Sequence, residues 1–359
     1  MLNTIGLEIE VNDIPFDLAR NFTPEGWETH DDGSNRSYRT RIKDMRVGRV
    51  APFLEQYVDR VKYGAEFVSP PVELDGSGYS RVFRDVSTIL RQVQDYGEQI
   101  SDLTSIHVHV NSGVPPLYVM RNLIWLWGAL EAPLYRLAVA EHEQHRGTLH
   151  NSYMYCRPLS HPQLVKGDTG TWYHAFDLSK LMVNAETTKE FVKGMCRADV
   201  QPNKWQPFRY YGVNFGNYFN ARQTTEFRIF NQTLQVGVIR AWVELCVAFI
   251  KVAYMDRIVS NLSPFPLGAT EPMGGKSFRF DNLMEIIPVS LMSQDAWSTL
   301  ERLWNSTSWQ KGCEDQLNHL CRTQGRTVRI EGISKDLRPE PVKEQIVESL
   351  WDAFDFSDH

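Results

Sequence analysis

Four short stretches of this chain alternate apolar and polar residues with a period of two. They are IGLEIEV (5–11), YGAEFVSPP (63–71), SIHVHVN (105–111) and TTEFRIF (224–230). In a strand, alternate residues share a face. Ile5, Leu7, Ile9 and Val11 therefore back one strand, with Glu8 and Glu10 in front. Ile106, Val108 and Val110 back another, with His107, His109 and Asn111 in front. Phe227 and Ile229 lie behind Glu226 and Arg228, and Glu66 stands between Ala65 and Phe67. Strands buried on both faces, as in parallel sheets, read as continuous apolar runs. These do not, so they predict an antiparallel sheet with one face on the core and one face open.

Between the strands lie helical patterns. Residues 80–99 carry apolar side chains at 82, 83, 86, 89, 90 and 93, close to the 3.6-residue period. Residues 117–141 form a second apolar pattern, interrupted by Pro133, and 235–262 the longest. The pattern predicts an α+β fold in which helices pack behind a curved antiparallel sheet with a polar active face. A Pro- and Gly-rich linker at 263–279 separates a first domain, 1–262, from a mainly helical region, 280–359. A helical insertion is expected at about 114–200.

The open face needs a reason. One strand with paired glutamates is usually a solvated surface, and two histidines on a strand are often satisfied core groups. Four glutamates and two histidines together form a ligand set for hard divalent ions, oxygen with some imidazole. Without a cation, Glu8, Glu10, Glu66 and Glu226 would repel one another if they converged. An arginine among them, Arg228, points to a bound anion such as phosphate. A metal and a phosphate are thus favoured over a structural charge ladder, on the condition that the strands are neighbours.

Composition narrows the setting. With 359 residues, 42% hydrophobic, 23% charged and 12% aromatic, the chain can bury a sizeable core. The net charge of −6 weighs against a chain-wide nucleic-acid binder but leaves a local basic patch open. Cys156, Cys196, Cys246, Cys313 and Cys321 form no CxxC pair, so neither a disulfide framework nor a zinc knuckle is indicated. The start, MLNTIGLEIEV, lacks a basic signal-peptide region. The most apolar run, 241–255, contains Glu244 and Lys251 and is too short for a bilayer. No membrane partner and a cytoplasmic location are expected.

The motifs GLEIE, DDGS, AEFVSPP, HVHVN, RYYGVN and TTEFRIFNQT occur in an order that resembles the amidoligase family. That family is a branch of the carboxylate–amine ligases with a glutamine-synthetase-like fold. The resemblance spans roughly residues 5–235 as scattered motifs. It implies an ATP-dependent ligase that joins a small-molecule or peptide carboxylate to an amine through an acyl phosphate, using two Mg²⁺ or Mn²⁺ ions. Glu8 and Glu10 resemble paired glutamates that serve different ions. His107 and Glu226 resemble the other ligands of the ion on the ATP phosphates, and Glu66 a ligand of the ion nearer the acceptor carboxylate. His109 resembles a histidine near the nucleotide phosphates, and Arg228 the arginine that steadies the transferring phosphoryl group. The catalytic set implied is Glu226, Arg228 and Glu66. Arg209 and Asn214 are candidates for nucleotide contacts. Asp32, Ser34, Asn111 and Arg146 are candidates for substrate contacts, although DDGS reads equally as a plain turn.

Some features depart from this pattern. A third protein ligand for the second ion is not identifiable, since Glu73 lies beyond two prolines. Residues 36–50 carry Arg36, Arg39, Arg41, Lys43, Arg46 and Arg49 against Asp44 alone. That stretch is either a solvated excursion, which is favoured, or a clamp for an anion such as nucleic acid. HEQH at 142–145 spaces its histidines one residue short of the zinc-protease motif and reads as helix surface. Two rivals follow: a metal-dependent hydrolase (amidase or peptidase), and a non-catalytic nucleotide or nucleic-acid binding module.

Overall fold

The structure, a computed structural model, describes residues 4–31, 63–74, 76–95, 104–138, 164–166, 172–174, 184–195, 212–219, 222–255 and 280–305. Seven strands in these segments form one sheet. They are β1 (Thr4–Pro15), β2 (Glu28–His30), β3 (Tyr63–Val68), β4 (Val72–Glu73), β5 (Ser105–Asn111), β8 (Val213–Asn214) and β9 (Thr224–Asn231). The order is β2-β3-β1-β5-β9-β8, with β4 paired to the start of β1. Every pairing is antiparallel, as the alternation predicts. A separate hairpin joins β6 (Leu164–Lys166) to β7 (Trp172–His174). The α+β expectation holds, with helices against one face of an open curved sheet.

The apolar halves of the alternating strands account for that packing. Ile5, Leu7, Ile9, Ile106, Val108, Val110 and Phe227 are all buried. They meet α2 (Ser77–Asp95), α3 (Leu117–Leu137) and α5 (Val236–Ala253), whose apolar stripes belong to the same core. A short α1 (Phe16–Asn21) follows β1, and α4 (Thr188–Met195) packs near α3. Phe230 stacks on Trp242 at 4.8 Å, and Phe227 meets Phe249 edge-on at 5.7 Å. Such ring contacts fix the rear of β9 against α5.

One expectation changes. Pro133 does not interrupt α3, which continues to Leu137. A proline inside a helix costs about 3 kcal/mol through a lost hydrogen bond and ring clash. Here Leu130, Leu134, Tyr135 and Leu137 are buried around it, and the Trp242 indole donates to the Leu137 carbonyl at 2.8 Å. Packing outweighs the local penalty. At the RYYGVN motif the described strand is Val213–Asn214 alone. The Gly216 N–H donates to Asn214 Oδ1 at 2.8 Å, which turns the chain into a 3₁₀ segment, Gly216–Phe219.

Beyond the expected linker, α6 (Phe280–Ile286) and α7 (Gln294–Trp304) add Leu283, Trp297, Leu300 and Leu303 to the core. Ser293 caps α7 by accepting from the Ala296 N–H at 3.2 Å. The Arg136 guanidinium lies 3.9 Å over the Trp304 ring, tying α7 to α3. Among the described residues, no helix is long and apolar enough to cross a membrane.

A carboxylate and histidine cluster on the open face

Register decides whether the polar side chains meet. Glu10 pairs with Glu66, and Glu8 with His107, across β1. His109 pairs with Glu226, which in turn pairs with Asn214 on β8. Paired residues point to the same side of the sheet, so these form a continuous polar band across its centre. Between Ile106 and Val108 the β5–β9 register slips by one residue. Glu226 and Arg228 still share the open face, and their side chains form an ion pair between Arg228 Nη1 and Glu226 Oε1.

Two groups in this band have ligand atoms within 4.8 Å of one another: Glu8 with Glu66 and His107, and Glu8 with His109 and Glu226. A divalent ion with oxygen and nitrogen ligands at about 2.0–2.6 Å fits between atoms so spaced. A second observation supports that fit. His109 Nε2 is buried without a hydrogen-bond partner; Glu8 Oε1 is 3.1 Å away but out of line. Buried polar atoms normally find partners, and in its neutral form this nitrogen, aimed among carboxylates, offers the lone pair that a metal takes. His109 Nδ1, on the other side of the ring, lies 3.2 Å from Thr224 Oγ1, which orients it.

The remaining groups are held firmly. Glu8 Oε2 lies 3.0 Å from His107 Nδ1. Glu10 Oε2 accepts from the Ser105 N–H at 2.8 Å and its hydroxyl at 2.6 Å, and that hydroxyl is 2.8 Å from His107 Nε2. Glu226 Oε2 accepts from Asn214 Nδ2 at 2.7 Å and Asn217 Nδ2 at 3.1 Å. Burial pushes the Glu226 carboxyl up, but the Arg228 and His109 charges prevail and bring it down to about 2. Burial also opposes ionisation of Glu8, yet His109 and His107 hold it well below the ordinary carboxylate value. For His109, burial favours the neutral ring, and the facing Glu8 and Glu226 charges overcome it and raise its pKa.

The sequence candidates sort as follows. Glu8, Glu66, His107, His109, Glu226 and Arg228 come together, with Glu10 beside His107 at 3.7 Å. Sequence reasoning put His107 with Glu226 on one ion. In the structure, His107 Nδ1 is 3.8 Å from Glu226 Oε1, but its cluster is the one with Glu66, and His109 is the histidine of the Glu226 cluster. That first grouping places His107 beside Glu8 and Glu66 as a third candidate ligand. Glu73 pairs with Thr4 at the far end of β1, away from it. Asn214 braces Glu226. Asn111 fixes main chain: its Oδ1 accepts from the Gly113 N–H at 2.9 Å, and its Nδ2 donates to the Arg222 carbonyl at 3.2 Å. Asp32, Ser34, Arg146, Arg209, the HEQH segment and the basic stretch 36–50 lie outside the described residues.

Three contributors were missed. Ser105 and Asn217 hold carboxylates, and Arg222 Nη1 reaches Glu8 Oε1 at 2.9 Å. Arg222 has the parity of Thr224, Glu226 and Arg228, so extending the TTEFRIF alternation back by one period would have found it.

A family model described as "Putative amidoligase enzyme" matches residues 20–250, more than half of the chain. The match takes in β3, β5, β8 and β9, while Glu8 and Glu10 on β1 precede it. No curated protein matches the chain.

Proposed function

The chain belongs to the amidoligase family, and from that premise we propose that it is an ATP-dependent carboxylate–amine ligase acting through an acyl phosphate. The observation that carries this reading is the convergence of Glu8, Glu66 and Glu226 with His107 and His109 on one polar sheet face, beside Arg228. A hydrolase could use the carboxylates alone. The arginine adjoining them suits chemistry in which a phosphoryl group passes the same point.

Glu8, Glu66 and His107 would hold one Mg²⁺ or Mn²⁺, and Glu8, His109 and Glu226 a second. Ions there supply charge neutralisation, without which the carboxylates would repel a triphosphate. Arg228 is held by Glu226 with a side chain only 11% exposed, which fixes its guanidinium beside the cluster. Asn214 and Asn217 keep Glu226 from turning away. In the first half-reaction the substrate carboxylate attacks the γ-phosphorus and ADP leaves. In the second, the amine attacks the acyl carbon, the C–O bond to phosphate breaks, and the nitrogen gives up a proton. The glutamine-synthetase-like architecture belongs to the same proposal and is consistent with the antiparallel sheet.

Hydroxylamine can replace the unknown amine, so a carboxylate screen with ATP and Mg²⁺ tests the reading. The expected result is an acyl hydroxamate for the correct acid, with ATP converted to ADP and phosphate. Amide cleavage without ATP, lost in Glu226→Gln, would establish the hydrolase instead.

A further inference from the structure

Arg222 stands just before β9, and the machinery above gives it no task. Its position is fixed by the main chain. Asn111 Nδ2 donates to its carbonyl, and the next residue, Gln223, holds a left-handed φ of 49°, a conformation non-glycine residues adopt at some cost. Its side chain is 55% exposed, whereas Glu8 is 10% exposed. Its Nη1 lies 2.9 Å from Glu8 Oε1. That oxygen also faces His109 Nε2 at 3.1 Å. A divalent ion held by Glu8, His109 and Glu226 would neutralise the charge that Arg222 neutralises here, and it would repel the guanidinium. Arg228 is bonded to Glu226, across the cluster from Glu8. Two arginines therefore flank one candidate ion position. Each now faces a different carboxylate, and a phosphate chain offers charges to both along its length.

Resting on the ligase reading, we propose that Arg222 is an exchangeable counter-ion and a phosphate-binding residue. It neutralises Glu8 in the metal-free protein and, once an ion takes Glu8, turns its planar fork to a phosphate oxyanion at the mouth of the site. Linkage then makes ion and polyphosphate binding mutually reinforcing: each relieves Arg222 of the contact the other displaces.

The test uses the full chain, with Mn²⁺ alone and then Mn²⁺ with inorganic tripolyphosphate, followed by calorimetry and Mn²⁺ paramagnetic resonance. Arg222→Gln removes the competitor at Glu8, so Mn²⁺ affinity should rise about threefold or more. Tripolyphosphate affinity of the Mn²⁺-loaded variant should fall about tenfold, the loss of one charge-assisted fork. Arg222→Lys keeps the charge, so its Mn²⁺ affinity should stay near that of the parent while tripolyphosphate still weakens. A merely structural arginine would not move the two affinities in opposite directions. Unchanged or weaker Mn²⁺ binding in Arg222→Gln, or unchanged tripolyphosphate binding, overturns the assignment and leaves the ligase reading standing. A parent protein that takes up no Mn²⁺ overturns both.

Discussion

Glu226→Gln separates the structural from the functional demands on one side chain. Glu226 is almost wholly buried, and each of its carboxylate oxygens already faces donors. Oε1 faces Arg228 Nη1; Oε2 faces Asn214 Nδ2 at 2.7 Å and Asn217 Nδ2 at 3.1 Å. Glutamine has the same shape but must turn an NH₂ toward one of these sets. If it replaces Oε2, Asn214 cannot flip to compensate, because its Oδ1 accepts from the Gly216 N–H. If it replaces Oε1, an NH₂ faces the Arg228 cation where a carboxylate oxygen stood. Leaving one or two buried donors without a partner costs about 1–3 kcal/mol each. Relief of repulsion between Glu226 and Glu8 offsets part of this. Denaturant unfolding in EDTA should therefore show a net loss of about 2–4 kcal/mol. A ligand at a hundredfold excess over its dissociation constant stabilises by about 2.7 kcal/mol, and the variant should forfeit most of that gain with Mn²⁺. Hydroxamate formation should disappear. An EDTA stability within about 0.5 kcal/mol of the parent would refute the donor analysis. An equal Mn²⁺ stabilisation in both proteins would show that Glu226 is no ligand.

Further outcomes follow from the same geometry. Arg228→Lys keeps the charge but loses the fork, so turnover should fall at least about tenfold with folding intact; wild-type turnover would reduce Arg228 to a structural partner of Glu226. Gly212→Ala would put a methyl group 2.5 Å from Ile229 Cγ2 and 2.6 Å from Tyr135 Oη. Overpacking of that kind costs about 1–3 kcal/mol, and a thermal melt like that of the parent would refute it. In the metal-free protein, Glu8 and Glu226 contribute stability that is complete above their ordinary value of 4.5 and lost as pH falls through their lowered values. His109 contributes stability that is complete below 6.5 and lost as pH rises through its raised value. Melts in EDTA should thus peak between these two ordinary values, and stability that climbs steadily above the higher one would contradict the pairing.

The face of each strand was legible because a half-buried sheet writes its two sides into alternate residues. Glu8, Glu10, His107, His109, Glu226 and Arg228 all lie on the open side, as their parity requires. Helix ends were less legible. Pro133 argues locally for a break, and only the burial of Leu134, Tyr135 and Leu137 against the rest of the core explains why α3 passes through it. The end of β8 turns on a side-chain acceptor, Asn214 Oδ1, competing for a backbone donor, a choice that composition does not announce.

Which polar residues meet was a harder matter, because register is a property of pairs of strands and not of any one of them. Sliding β9 by two residues along β5 would keep every apolar side chain on the core, yet it would move Glu226 away from His109. What fixes the register lies partly outside the motifs. The one-residue slip beside His107 and the Asn111 contact to the Arg222 carbonyl tie β9 to β5 at both ends of their pairing. The same contacts explain why His109, not His107, shares a cluster with Glu226. They also bring in Arg222, whose parity fits the strand although its backbone has already left it. A site made of carboxylates that repel one another cannot choose its own geometry. The sheet imposes it, and the residues that hold the register are therefore as necessary to the cluster as the carboxylates and histidines themselves.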